Sequence, residues 1–189
     1  IVCVTEWNSL KNPKGFFSAW NILKRRINDA KAIVFGRGME WGDAAGEYIR
    51  ENNIEKNGLD LRGYCSREII DECLESEADI FISTTLEESF GLIFIEAMAK
   101  GVPCMGGLKS GAVPWVLGIG EEDVAGVACN VKDPDATASC MERLMGDYEL
   151  RKRLSANAIR RVRNHFSLVA CVNNYIEALS CVVNGGKGW

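Results

Sequence analysis

Two glutamates, Glu88 and Glu96, flank the stretch Ser89-Phe90-Gly91-Leu92-Ile93-Phe94-Ile95, and the second is the only carboxylate in an apolar run that ends at Gly101. Taking a carboxylate out of water is costly unless hydrogen bonds or an opposite charge receive it. Glu96 therefore needs a protein partner or a ligand. Ahead of it, Thr84 and Thr85 end a strand-like run, Glu87 and Glu88 follow, and Ser89-Phe90-Gly91 leads into a helix that Gly101 caps. The free N–H groups and the dipole of that helix start suit an anion, so a phosphate or a sugar could dock there. On a continuous helix the two acids would stand about 80° apart, which lets both face one cleft. The plain alternative makes Glu88 a solvated first-turn acid and Glu96 a half-exposed helix residue.

Three other places invite chemistry. Gly36-Arg37-Gly38-Met39-Glu40-Trp41-Gly42 resembles a variant dinucleotide fingerprint. It follows the second strand-like run, however, and the acid about twenty residues on, Glu55, lies in a polar loop, so a tight turn is the better reading. Asp133-Pro134-Asp135 has the D-x-D form of a metal site, yet Asp before Pro, with another acid in the first turn, is a helix start. His165, the only histidine, closes the basic stretch Arg160-Arg161-Val162-Arg163-Asn164. Late-helix cations favour the C-terminal dipole, and this stretch reads as a solvated face.

The elements that must position these residues alternate. Strand-like runs fall at 1–5, 30–36, 59–63, 79–84, 102–106 and 124–130, with helical patterns at 13–28, 42–53, 66–77, 90–100 and 134–146 and two terminal helices at 148–164 and 167–182. That alternation implies a parallel sheet with crossover helices on both faces, the doubly wound α/β class, which binds ligands at the carboxyl ends of its strands. The last helix is apolar on more than one side: Leu168, Val169, Val172, Tyr175, Ile176 and Leu179 form one face, and Ala170, Cys171, Ala178, Val182 and Val183 widen it. A surface helix needs one stripe, so the surplus points to a second contact or to self-association as a homodimer. The terminal 184–189, Asn-Gly-Gly-Lys-Gly-Trp, reads as a fraying tail.

Composition bounds the setting. The chain of 189 residues is 47% hydrophobic, enough for one sizeable core over 1–183, and its net charge of −4 offers no basic excess for nucleic acid. Its apolar runs fall short of the roughly 20 residues of a membrane span. Eight cysteines lie scattered without C-x-x-C spacing, mostly among apolar neighbours, which reads as buried, reduced thiols in the cytoplasm. No leader is visible, and the start at Ile1-Val2-Cys3-Val4-Thr5 suggests a piece of a longer protein.

Glu88-Ser-Phe-Gly-Leu-Ile-Phe-Ile-Glu96-Ala-Met-Ala-Lys-Gly-Val-Pro103 resembles the E-x7-E element of the retaining glycosyltransferases of the GT-B fold, family four. The resemblance extends along nearly the whole chain and implies the carboxy-terminal, donor-nucleotide-binding half of such an enzyme, with the amino-terminal acceptor domain absent. It implies that Glu88 approaches the hydroxyls of the donor sugar, that Glu96 holds the ribose diol, and that the backbone of Phe90, Gly91 and Leu92 meets sugar and phosphate. Lys11-Asn12-Pro13-Lys14-Gly15 looks like the family's lysine loop, where fixed positive charge stabilises a departing diphosphate; Lys11 is the first candidate and Lys14 the second, against a solvated turn. The family often carries an arginine a few residues earlier, and Thr5-Glu6-Trp7 supplies none. Residues 106–117 resemble the family's glycine-rich loop, with Trp115 where glutamate is more common, and Leu61-Arg62-Gly63-Tyr64-Cys65-Ser66 matches the place where the nucleobase lies, making Tyr64 and Cys65 candidates. The implied activity moves a sugar from a nucleoside-diphosphate sugar to an acceptor, with retention and without metal or other cofactor. The glycine-rich variant points toward surface polysaccharide or lipopolysaccharide synthesis, with the full-length enzyme peripheral to a membrane. A nucleotide-sugar epimerase of the same shape and a noncatalytic nucleotide-sugar-binding module are the alternatives.

Overall fold

The computed structural model describes residues 1–183; the expected tail at 184–189 lies outside the described residues. The strands are β1 (Val2–Val4), β2 (Ala32–Phe35), β3 (Leu59–Gly63), β4 (Phe81–Ile82), β5 (Cys104–Gly107) and β6 (Gly126–Cys129). The helices are α1 (Pro13–Arg26), α2 (Ala44–Glu51), α3 (Arg67–Ser76), α4 (Leu92–Ala99), α5 (Val113–Val116), α6 (Pro134–Gly146), α7 (Tyr148–Arg161) and α8 (Leu168–Val183), with a π-helical turn at Val162–Phe166 between the last two. The strands form one parallel sheet in the order β3-β2-β1-β4-β5-β6. This is the doubly wound class expected from the alternation.

Neighbouring strand residues alternate between two cores. Cys3, Val34, Ile82 and Met105 join the layer that holds Phe16, Trp20 and Met141 of α1 and α6. Val2, Phe35, Phe81 and Cys104 join the layer that holds Leu74, Phe94 and Ala158 of α3, α4 and α7. Successive side chains point to opposite faces, so a strand covered on both sides must be apolar at every position, as these are. Local signals set the helix starts. Asn12 takes the left-handed conformation at φ 49° and its side chain accepts from the Gly15 N–H, with Pro13 at the first turn. Asp133 accepts from the N–H groups of Asp135 and Ala136 at 3.0 and 3.3 Å, so the D-x-D is a helix cap. Gly36-to-Gly42 forms a turn tied to β3, the Gly36 N–H donating to the Gly63 carbonyl at 2.7 Å, and α2 begins only at Ala44.

The carboxyl-terminal region corrects two expectations. Arg161, read as part of a solvated basic face, has a side chain only 1% exposed. It donates to the Val116 and Trp115 carbonyls at 2.9 and 2.6 Å and pairs with Glu121 and Asp123 at 2.9 and 2.6 Å. His165 Nε2 lies 3.3 Å from Asp123 Oδ2. The reason is tertiary: the loop at 118–124 folds over the end of α7 and supplies partners that helix periodicity cannot reveal. The second correction concerns length. The helical segment Tyr148–Val183 runs 36 residues and contains a window long and apolar enough, by composition, to cross a membrane. None of that window is buried, and Leu168, Tyr175 and Val183 of α8 are open to solvent.

The cysteines divide accordingly. Cys3, Cys73, Cys104 and Cys129 are buried, Cys65 and Cys140 are half-buried, and Cys171 and Cys181 on α8 are exposed, all as free thiols. The neighbouring Cys129 thiol draws Cys140 down to about 7, and Arg143 assists, while burial pushes Cys3 up to about 12. Above pH 7, Cys140 is thus expected to react with iodoacetamide and Cys3 to stay inert until unfolding, as peptide mass mapping across pH 6–9 will show. Equal labelling of the two would remove this distinction.

Candidate functional site

The strand order reverses at β1 and β4, and their outgoing loops diverge there to leave a crevice at the sheet's carboxyl edge. One loop, residues 5–12, carries Lys11; the other, 83–91, carries Glu88. Lys11 Nζ donates to Glu88 Oε2 at 2.8 Å, with side chains 37% and 18% exposed. The pair walls a cavity of about 510 Å³ that also includes Asn8, Ser89 and Gly111. That volume falls in the range of small-ligand sites.

The two loops are sewn together by polar side chains, buried at Thr84 and Thr85 and half-buried at Asn12. Thr84 Oγ1 donates to the Asn12 carbonyl at 2.8 Å, and Asn12 Nδ2 donates back to the Thr84 and Val131 carbonyls at 3.3 and 3.0 Å. Thr85 Oγ1 donates to the Leu10 carbonyl at 3.2 Å, and the Leu86 N–H donates to the same oxygen at 2.7 Å. The glycine-rich segment closes the third side. Ser110 Oγ donates to the Thr85 carbonyl at 2.6 Å, and the Ala112 N–H donates to the Glu88 carbonyl at 3.0 Å. Sequence reasoning missed Asn12, Ser110 and the threonines as site residues; Asn before Pro, a helix-cap signal, was the one available clue.

Two glycines are required by geometry. Gly91, at φ 84°, begins α4, where a Cβ would press on the Phe94 ring at 3.0 Å and Glu88 Cγ at 3.4 Å. Gly111, at φ 57°, packs against the Glu88 backbone so closely that a Cβ would collide with its carbonyl. Gly111→Ala is expected to lower stability by about 1–3 kcal/mol, readable in urea titration. An unchanged midpoint would show that the loop can relax away from Glu88.

The remaining candidates are spread out. Glu96 lies on α4, its Oε1 paired with Arg67 at the start of α3, while its Oε2 is buried without a hydrogen-bond partner. Tyr64 and Cys65 lie in the loop just before Arg67. Tyr64 is 70% exposed with the Arg37 guanidinium 5.6 Å from its ring centre, and Cys65 is half-buried against the Arg62 carbonyl. Arg37 also reaches Glu6 at 3.8 Å, so a cation does stand over the end of β1, arriving from β2. Lys14 stands apart from Lys11, its ammonium 5.9 and 5.5 Å from the Trp7 and Tyr48 ring centres. Phe90 and Leu92 send their side chains away from the Lys11–Glu88 cavity. They line a separate apolar cavity of about 540 Å³ with Trp115, Phe166 and α8.

A parallel 3-2-1-4-5-6 sheet with a lysine–glutamate pair at its switch point defines a Rossmann-like ligand-binding domain of the kind that forms half of a GT-B enzyme. The chain belongs to the glycosyl transferases group 1 family, whose model matches residues 1–161, and it is a carboxy-terminal domain of that family. It is 31% identical over 175 residues to N-acetyl-alpha-D-glucosaminyl L-malate synthase of Bacillus anthracis, a match covering 93% of this chain and 43% of that protein. It is 26% identical to trehalose synthase of Pyrococcus horikoshii over 94% of this chain and, again, 43% of the relative. The chain thus spans less than half the length of these relatives. Among solved structures, a glycosyltransferase from Rickettsia africae superposes with TM-score 0.77 at 20% identity, over 98% of this chain and 48% of that one. The C-terminal domain of the group 1 family protein LpcC from Francisella tularensis superposes with TM-score 0.72 at 20% identity, over 88% and 86%. HepE of Anabaena, crystallised with UDP-glucose, gives 0.75 at 20% identity, over 95% and 48%.

Proposed function

We propose that this chain is the donor-binding half of a metal-independent, retaining glycosyltransferase that takes its sugar from a nucleoside-diphosphate sugar. The observation that carries the reading is the Lys11–Glu88 pair at the β1/β4 switch point. Bond cleavage between sugar and diphosphate develops negative charge on the leaving group, and a cation held within reach stabilises it. Glu88 is the group that would orient the transferred sugar through its hydroxyls. When a diphosphate enters, Lys11 can turn from Glu88 to phosphate, freeing the carboxylate for the sugar. Glu96 would take the ribose diol, and Tyr64 with Cys65 would border the base. Family membership, and relatives named as glycosyltransferases and synthases, favour transfer over the epimerase alternative. Eight free thiols fit a reducing, cytoplasmic setting.

UDP affinity, measured by calorimetry, is expected to be the same in EDTA as in magnesium, because Lys11 supplies the charge and Asp133 is occupied as a helix cap. Lys11→Ala is expected to weaken binding about tenfold, the size of one charge-assisted hydrogen bond. A metal requirement that disappears in Asp133→Ala would overturn the assignment.

The chain alone is expected to bind donor without transferring sugar. The uncovered apolar surface of α8 is where we place the amino-terminal domain. Self-association and attachment to a membrane surface are the other ways to cover it, and sedimentation and liposome flotation separate the three. Sugar transfer by the purified chain would defeat the half-enzyme reading, including its rival as a noncatalytic binding module.

A further inference from the structure

Glu96 has two oxygens in different situations. Oε1 is paired with Arg67 Nη2, and Oε2 is shielded from solvent with no hydrogen-bond partner. The acid is not needed to fasten α4 to α3. At the far end of that seam Lys100 already reaches Asp71 and Glu75 at 3.9 and 3.7 Å, and Arg67 has a second carboxylate of its own, Asp71 at 3.3 Å. A half-satisfied carboxylate is retained here although an apolar residue would suit the helix better. Arg67, in turn, is the first residue of α3, directly after the Tyr64-Cys65 loop at the carboxyl end of β3. It thus joins the stretch assigned to the base to the carboxylate assigned to the ribose.

We propose that Arg67 is the positioning residue for Glu96: it holds Oε1 and fixes the direction of the carboxylate, leaving Oε2 as the acceptor for a ribose hydroxyl, and so sets the preference for ribonucleotides over deoxyribonucleotides. This rests on the donor-site reading above. A carboxylate with one oxygen tethered by a guanidinium presents the other in a fixed direction, and a diol hydroxyl completes its hydrogen bonding. A nucleotide without the 2′-hydroxyl leaves the acceptor less well satisfied, so the discrimination originates in a group already buried. An Arg67 that served only to join helices would act on stability and not on this preference.

The test measures dissociation constants of UDP, GDP and ADP and of their 2′-deoxy counterparts for the wild-type chain, Arg67→Ala and Arg67→Lys. Wild type is expected to bind its preferred ribonucleotide at least about tenfold tighter than the deoxy form. Arg67→Ala is expected to bring the ribonucleotide down to the deoxynucleotide's affinity while leaving the deoxynucleotide within about twofold, and Arg67→Lys to restore part of the ratio. A wild-type ratio retained in Arg67→Ala overturns the role of Arg67 and leaves the donor site standing, as does an equal loss for both nucleotides. Wild type that binds none of the six overturns both the role and the donor-site reading.

Discussion

Arg161→Ala is expected to cost about 3–5 kcal/mol of stability, the size of effect seen when one partner of a buried ion pair is removed. The guanidinium holds two backbone carbonyls and two carboxylates together. Gly118 packs directly against it, at a distance where a Cβ would lie 2.7 Å from Nη1. For a domain of this size the loss corresponds to a fall of roughly 6–20 °C in thermal midpoint. Arg161→Lys is expected to recover only part of it, because one ammonium cannot reproduce the fork of donors. The consequence reaches the site: Arg161 fixes the carbonyl of Trp115 on α5, and Ala112, just ahead of α5, fixes Glu88. A midpoint within 2 °C of wild type, measured by calorimetry, would place Arg161 outside the structural core.

Glu96→Ala is expected to weaken nucleotide binding at least about tenfold, since a charged hydrogen bond to a diol contributes on the order of 1.5–3 kcal/mol. The same substitution is expected to leave the thermal midpoint unchanged or slightly raised. It removes a buried acceptor that has no partner, and the Arg67 it releases is half-exposed and still faces Asp71. Opposite signs in the two measurements are the signature of a residue kept for a ligand and not for the fold. A midpoint drop comparable to that of Arg161→Ala, with affinity intact, would make Glu96 a structural partner of Arg67 instead.

The sheet was legible because its code is local. Val2-Cys3-Val4, Ala32-Ile33-Val34-Phe35 and Phe81-Ile82 are apolar at consecutive positions, and Asn12-Pro13 and Asp133-Pro134 announce helix starts in the chain itself. The short helix α5 was hidden in a segment rich in glycine, where turn signals outweigh four helical residues. The partners of Glu96 and Arg161 could not be read, because each sits on an element remote in sequence and is fixed only by packing. The E-x7-E spacing drew attention to Glu88 and Glu96 together. The structure joins only the first to Lys11 and gives the second to Arg67. The side chains of Phe90 and Leu92 turn away from the crevice toward Trp115 and Phe166, partners supplied by segments remote in sequence.

The switch point is also one of the two thinnest seams of the sheet, level with that between β4 and β5. β1 pairs with β4 at two positions, Val2 with Phe81 and Cys3 with Ile82, whereas β2 pairs with β3 and β5 with β6 at four each. Three strands lie on either side, and the Lys11 loop belongs to one half while the Glu88 loop belongs to the other. A molecule gripped by both loops therefore acts as a rivet across the junction. Opening of the seam must break that grip, so bound nucleotide is expected to slow amide exchange in β1 and β4 by the full linkage factor, and to slow it less in strands β3 and β6 at the outer edges.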